Sequence, residues 1–162
     1  MDLLIRKAEA ADADAIWNIF HEVVAKGDTY TFDPATSKEQ ALAIWMAPLA
    51  YTFVATSDGE IVGTYFMKAN QPGLGSHVAN AGYMVKPEIH GRGIGRAMCE
   101  HSLREAKRLG FLAMQFNIVV STNEAAVALW QKMGFKIVGT LPQVFRHSEF
   151  GLVDAYVMHR YL

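Results

Sequence analysis

Glycine occupies every second position at Gly91, Gly93 and Gly95, shortly after Pro87, with Arg92 between the first two and Arg96 directly after the last. Without a Cβ, such a turn lets backbone N–H groups approach an anion closely. If a helix starts here, its first turn adds roughly half a positive charge at the same place. Arg92 and Arg96 supply charge-assisted donors, and together these groups suit a diphosphate. The spacing lacks both the Gly-x-Gly-x-x-Gly of a dinucleotide fold and the Gly-Lys-Ser/Thr of a P-loop. Glycines at such a junction also serve the turn alone, and the residues leave that alternative open.

Two asparagines, Asn80 and Asn117, fall inside segments that otherwise read as strands. Asparagine is disfavoured in strands, so a pair of them suggests a polar function or the capping of irregular strand ends. Their amides cannot accept a proton at neutral pH, but they orient a substrate, a water or an oxyanion. No carboxylate occurs between Glu60 and Glu88, which leaves Glu22 and Asp28 as candidate bases acting through water. The six histidines show no metal-ligand spacing, and the lone Cys99 builds neither a zinc site nor an intramolecular disulfide.

Apolar periodicity and breakers predict the elements that must position these groups. Leu3, Leu4 and Ile5 start a strand; Ile16, Ile19, Phe20, Val23 and Val24 step by three and four, as a helix capped by Asp12 or Asp14 and ended by Gly27. A second helix over 38–46 takes Thr36 or Ser37 as its cap. Strands over 52–56 and 60–68 flank the Ser57-Asp58-Gly59 turn, and a further strand runs over 77–85. A helix over 93–109 presents Ile94, Met98, Ser102, Ala106 and Leu109 on one face before Gly110. Strand 111–120, helix 123–133, strand 135–140 and strand 153–158 complete a β-α-α-β-β-β-α-β-α-β-β order. That order describes a single mixed α/β domain over residues 1–162.

The whole chain sets bounds. Fifteen Lys and Arg balance sixteen Asp and Glu among 162 residues, so no strong field points to nucleic acid or an acidic membrane. A hydrophobic share of 51% suits a packed core, and no apolar segment reaches transmembrane length. The chain reads as a soluble cytoplasmic protein.

The turn at Gly91, Gly93 and Gly95, followed by Asn123, Leu129, Trp130, Lys132, Gly134 and Phe135, resembles the GNAT-type N-acetyltransferase superfamily. The resemblance implies a mostly antiparallel mixed sheet flanked by helices, with acetyl-coenzyme A in a V-shaped cleft between two splayed strands. It implies that Gly91, Arg92, Gly93, Ile94, Gly95 and Arg96 hold the pyrophosphate. Met84 and Val85 would hydrogen-bond the pantetheine arm, and Asn123 and Trp130 would line it. A backbone N–H of the strand ending at Val85 would polarise the thioester carbonyl. Two positions depart from the pattern: His90 replaces the usual Gln or Arg, and Trp130 stands where many members carry a proton-donating Tyr. Indole is no acid at neutral pH, so Trp130 reads as a packing wall; a non-catalytic coenzyme-binding module is the alternative it raises.

Asn80-Ala81-Gly82-Tyr83, with Phe116, Asn117, Thr122 and Asn123, is similar to the fungal acetyltransferases that detoxify azetidine-2-carboxylate, in which two asparagines serve catalysis; Asn80 and Asn117 match them. The stretch from Gly27 to Phe32 is similar to the acceptor loop of phosphinothricin and methionine-sulfoximine acetyltransferases, although their strand carboxylate is replaced by Ala81 or Gly82. Both likenesses imply a small acceptor bearing an amine beside a carboxylate, for which Arg146 or Lys68 is a candidate partner. Resemblance also implies a homodimer.

Overall fold

The computed structural model describes every residue from Met1 to Leu162. Strands β1 (Leu3–Lys7), β2 (Tyr51–Ser57), β3 (Glu60–Ala69), β4 (Val78–Val85), β5 (Ala113–Val120), β6 (Lys136–His147) and β7 (Gly151–Tyr161) form one sheet. Its order is β1-β2-β3-β4-β5-β7-β6. Every neighbouring pair is antiparallel except β4 with β5. The expected mixed, mostly antiparallel α/β architecture is therefore present.

Helices α1 (Ala13–Ala25) and α2 (Lys38–Trp45) cover one face, where Ile16, Ile19, Phe20 and Trp45 pack against Val54, Phe66 and Met84. Helix α3 (Ile94–Arg108) covers the other, burying Ile94, Met98, Cys99 and Ala106 against Tyr65, Met67 and Tyr83. Helix α4 (Glu124–Lys132) packs Val127 and Trp130 against that second core. Of the predicted stripe, Ile94, Met98, Ser102 and Ala106 are buried, with Cys99 added, whereas Leu109 is the C-cap and only partly buried.

Local chemistry explains most boundaries. Ser37 caps α2, accepting from Gln40 N while Gln40 Oε1 accepts from Ser37 N, a reciprocal box. Asp12 precedes α1 but does not cap it; its carboxylate accepts from both terminal guanidinium nitrogens of Arg6 and from Glu9 N. Asp58 and Gly59 both take positive φ, 51° and 80°, in the tight β2–β3 turn.

The last two strands exceed the predicted spans. Pro142 is the reason sequence periodicity stops at residue 140, yet β6 continues to His147. It is the outer strand of the sheet, where a proline breaks no ladder bond. The register shift between Leu141 and Phe145 absorbs Gln143, whose φ is 49° and whose N–H donates to Asp154 Oδ1.

Candidate active site

The two parallel strands stay together only briefly: Val78 opposes Ala113, Ala79 opposes Met114, and the register ends there. Beyond that point β4 and β5 diverge into a cleft of about 1090 Å³. On the β5 side, Asn117 and Ile118 stand opposite Val157 alone, because the β5–β7 register shifts between Phe116 and Val119. Such a bulge bends its strand and accommodates an asparagine that a regular ladder would disfavour.

At the fork, Asn80 Nδ2 donates to Gln115 O at 3.0 Å, tying β4 to β5 just past their last paired residues. Its Oδ1 remains free to accept. Gln115 Nε2 donates to Asn117 Oδ1 at 3.0 Å, and Asn117 Nδ2 donates to Asn70 Oδ1 at 2.7 Å. Asn80 and Asn117 therefore both line the cleft and join one amide chain through Gln115. Asn70 had no signal in the sequence, since only the β3–β4 connection brings it to β5.

The edge that β4 turns toward the cleft follows from its register. Lys86 N donates to Val62 O, so even-numbered residues of β4 direct their backbone groups to β3 and odd-numbered ones away from it. Met84 lines the cleft, yet its N–H and C=O face Thr64 of β3 and its side chain lies in the α1–α2 core. The expectation that Met84 hydrogen-bonds a ligand arm through its backbone therefore has no free groups behind it. Val85, with both groups directed into the cleft, retains them.

The glycine turn and the start of α3 form the far end. Gly91 and Gly93 adopt φ of 82° and 80°, and no atom lies within 4 Å of a Cβ added at either. Gly93 is the N-cap of α3 without a side-chain cap, and Ala97 N makes the first return bond to Gly93 O. The N–H groups of Ile94, Gly95 and Arg96 precede that bond and are open to a ligand. Arg96 lines the cleft, its guanidinium held 2.9 Å from Glu100. Arg92 does not; it borders a separate depression with Asp58 and Glu60. Asn123 caps α4 by accepting from Ala126 N and also lines the cleft. Uncapped amides, a glycine cradle with open space and an unpaired strand edge fit a diphosphate joined to an amide-bearing arm.

Trp130 lies between this end and the fork, its ring 5.1 Å from Tyr83 and 4.9 Å from Phe116. The opposite wall comes from the segment after α1: Lys26, Asp28, Thr29, Tyr30, Thr31 and Phe32. Neither Lys68 nor Arg146, the cations suggested for an acceptor carboxylate, lines the cleft, whereas Lys26 does. Lys68 lies over the Phe66 ring and Arg146 is exposed on β6. Of the two candidate bases, Asp28 lines the cleft and Glu22 does not. Thr29 Oγ1 is buried without a partner. Cys99 is fully buried, and burial pushes its thiol up to about 12, so it stays protonated and is no nucleophile.

The sheet forks, and the free edge of β4 leads from the uncapped start of α3 to a polar chamber. Residues 13–135 match the Acetyltransferase (GNAT) family, and the chain belongs to it. Members of that family are N-acetyltransferases with acetyl-coenzyme A as co-substrate. The structure of a GCN5-related N-acetyltransferase from Kribbella flavida superposes with a TM-score of 0.95 at 47% identity, over 99% of this chain and 98% of that one. The N-acetyltransferase aca1 of Schizosaccharomyces pombe is 36% identical over 60% of this chain and 47% of its own length, so this chain spans about half of that relative. The L-amino acid N-acetyltransferase AaaT of Escherichia coli is 28% identical over 98% of both chains. The L-methionine sulfoximine/L-methionine sulfone acetyltransferase of Salmonella typhimurium is 28% identical over 88% of this chain and 85% of its own. No helix is long and apolar enough to cross a membrane.

Proposed function

We propose that this chain, as one acetyltransferase domain over residues 1–162, transfers acetyl from acetyl-coenzyme A directly to the amine of a small amino or imino acid. The observation that carries the reading is the continuity of the cleft from the α3 amides, along Val85, to the chamber of Asn80, Lys26, Asp28 and Thr29. The co-substrate supplies the acetyl group as an activated thioester.

The residues divide the remaining work. The amides of Ile94, Gly95 and Arg96 bind the diphosphate, and Val85 pairs with the arm as an added strand would. Asn80 Oδ1 accepts an N–H of the acceptor amine and aims its lone pair at the carbonyl carbon. Lys26 pairs with the acceptor carboxylate, and Asp28 takes the amine proton through water. The C–N bond forms, a strand-edge N–H holds the developing charge on the carbonyl oxygen, and the C–S bond then breaks. Trp130 donates no proton, so the departing thiolate takes its proton from solvent.

The names of the Escherichia coli and Salmonella relatives support an amino-acid-like acceptor. The paired asparagines favour a cyclic imino acid of the azetidine-2-carboxylate type; the Gly27 to Phe32 wall favours a methionine-sulfoximine-like one. Thiol release should be measured across proline analogues, methionine sulfoximine and the common amino acids, for wild type and Asn80→Ala. Turnover with one group, falling at least about tenfold in Asn80→Ala with coenzyme affinity unchanged, is the expected result. Tight coenzyme binding with no thiol release on any acceptor would favour the non-catalytic module, and unchanged turnover in Asn80→Ala would remove that residue's role.

A further inference from the structure

Tyr30 makes a contact that the proposed reaction leaves unexplained. Its hydroxyl donates to Tyr83 O at 2.5 Å and accepts from Tyr83 N at 2.8 Å. By the register of β4, these are groups directed away from β3, at the place where β5 has already diverged. The side chain of a wall residue thus fills the gap in the ladder. The ring stacks on Phe32 at 5.8 Å and meets Trp45 edge-on at 6.3 Å, so the hydroxyl is held in place.

An arm anchored at the α3 amides and running along the β4 edge toward the fork meets Val85 first and Tyr83 next, because alternate residues present their N–H on that side. The second of these amides is where a carbonyl at the tip of the arm would accept. In this structure an oxygen already stands there: the phenol of Tyr30. We infer that the Tyr30 hydroxyl holds the position of the acetyl carbonyl oxygen, and leaves the Tyr83 N–H when the acetylated coenzyme binds. The inference rests on the acetyl-coenzyme A reading proposed above.

The consequence reaches the acceptor. Tyr30 shares its segment with Asp28 and Thr29, which wall the acceptor chamber. When the hydroxyl yields the amide, that wall shifts, so the chamber takes its working shape only after the acetyl group is seated. Tyr30 is a positioning residue here: it touches the amide that serves the reaction and reports its occupancy to the acceptor wall. Burial keeps the phenol protonated, so it acts as a neutral hydrogen-bond partner.

The test compares two coenzyme forms that differ only in the acetyl group, and so in whether the oxygen concerned is present. Calorimetric Kd values for acetyl-coenzyme A and for coenzyme A are measured on wild type and Tyr30→Phe. Free coenzyme A has no acetyl oxygen and leaves Tyr30 where it is, so its affinity should be equal in both proteins. Acetyl-coenzyme A should bind Tyr30→Phe about three- to tenfold more tightly than wild type, because no hydroxyl must be displaced. An unchanged ratio of the two Kd values would overturn the inference while leaving the enzyme reading intact; failure of wild type to bind either coenzyme would overturn both. Should Tyr30→Phe fail to fold, a crystal structure of wild type with acetyl-coenzyme A decides: the Tyr30 hydroxyl away from Tyr83 N supports the inference, and the hydroxyl still bonded there sinks it.

Discussion

Single residues carry two kinds of duty in the cleft, and Asn80 and Gly93 illustrate them. Asn80 closes the fork with its amide N–H and keeps its carbonyl oxygen for a ligand, so its structural and proposed chemical roles use different atoms. Gly93 offers only backbone, at a φ of 80° that a side chain disfavours although open space surrounds the missing Cβ. Replacing it with alanine should therefore act through conformation. A left-handed non-glycine residue costs about 1–2 kcal/mol, which the unliganded turn relieves by leaving that conformation and binding must restore, so Gly93→Ala should raise the Kd for acetyl-coenzyme A roughly tenfold. Titration calorimetry checks this, and an acceptor KM that stays near wild type would show that the loss is confined to the coenzyme end.

At the scale of elements, the acceptor wall is held by the far end of the chain. Ser148, in the β6–β7 turn, donates from its N–H to Gly27 O at 3.0 Å and from its Oγ to Lys26 O at 2.8 Å. His147 shapes that turn, with Nδ1 accepting from Glu149 N and Phe150 N. The two bonds fix the exit of α1, and with it Lys26, Asp28 and Tyr30. Ser148→Ala removes one bond and keeps the other. It should raise the acceptor KM a few-fold, as expected for one net hydrogen bond of about 1 kcal/mol, with no change in the affinity for free coenzyme A. Steady-state kinetics at saturating acetyl-coenzyme A would show it, and a changed Kd for free coenzyme A would mean that the turn supports the whole cleft.

For the whole molecule, the Asp12 carboxyl makes stability depend on pH. The Arg6 guanidinium, helped by Glu9 N–H, holds the Asp12 carboxyl below the usual carboxylate range and ties β1 to the start of α1. A folded value below the unfolded one means stability that is complete above pH about 4 and is lost as pH falls through the depressed folded value. Asp12→Asn should cost about 1 kcal/mol at pH 7, a modest figure because Arg6 is partly solvated, and the difference should shrink in acid. Urea unfolding at pH 7 and pH 3 measures both. The amino-acid sequence by itself determined the element order, the buried stripe of α3, the glycine turn and the presence of Asn80 and Asn117, because each is encoded over a few neighbouring residues as periodicity, backbone freedom or an out-of-place polar group. Only the tertiary structure decided that Lys26 rather than Lys68 or Arg146 reaches the chamber, that Met84 turns its backbone to β3, that Asn70 joins Asn117, and that Tyr30 meets Tyr83 across 53 positions. Those outcomes depend on strand register and on where two parallel strands part, and register is a property of paired segments distant in the chain that no single stretch contains.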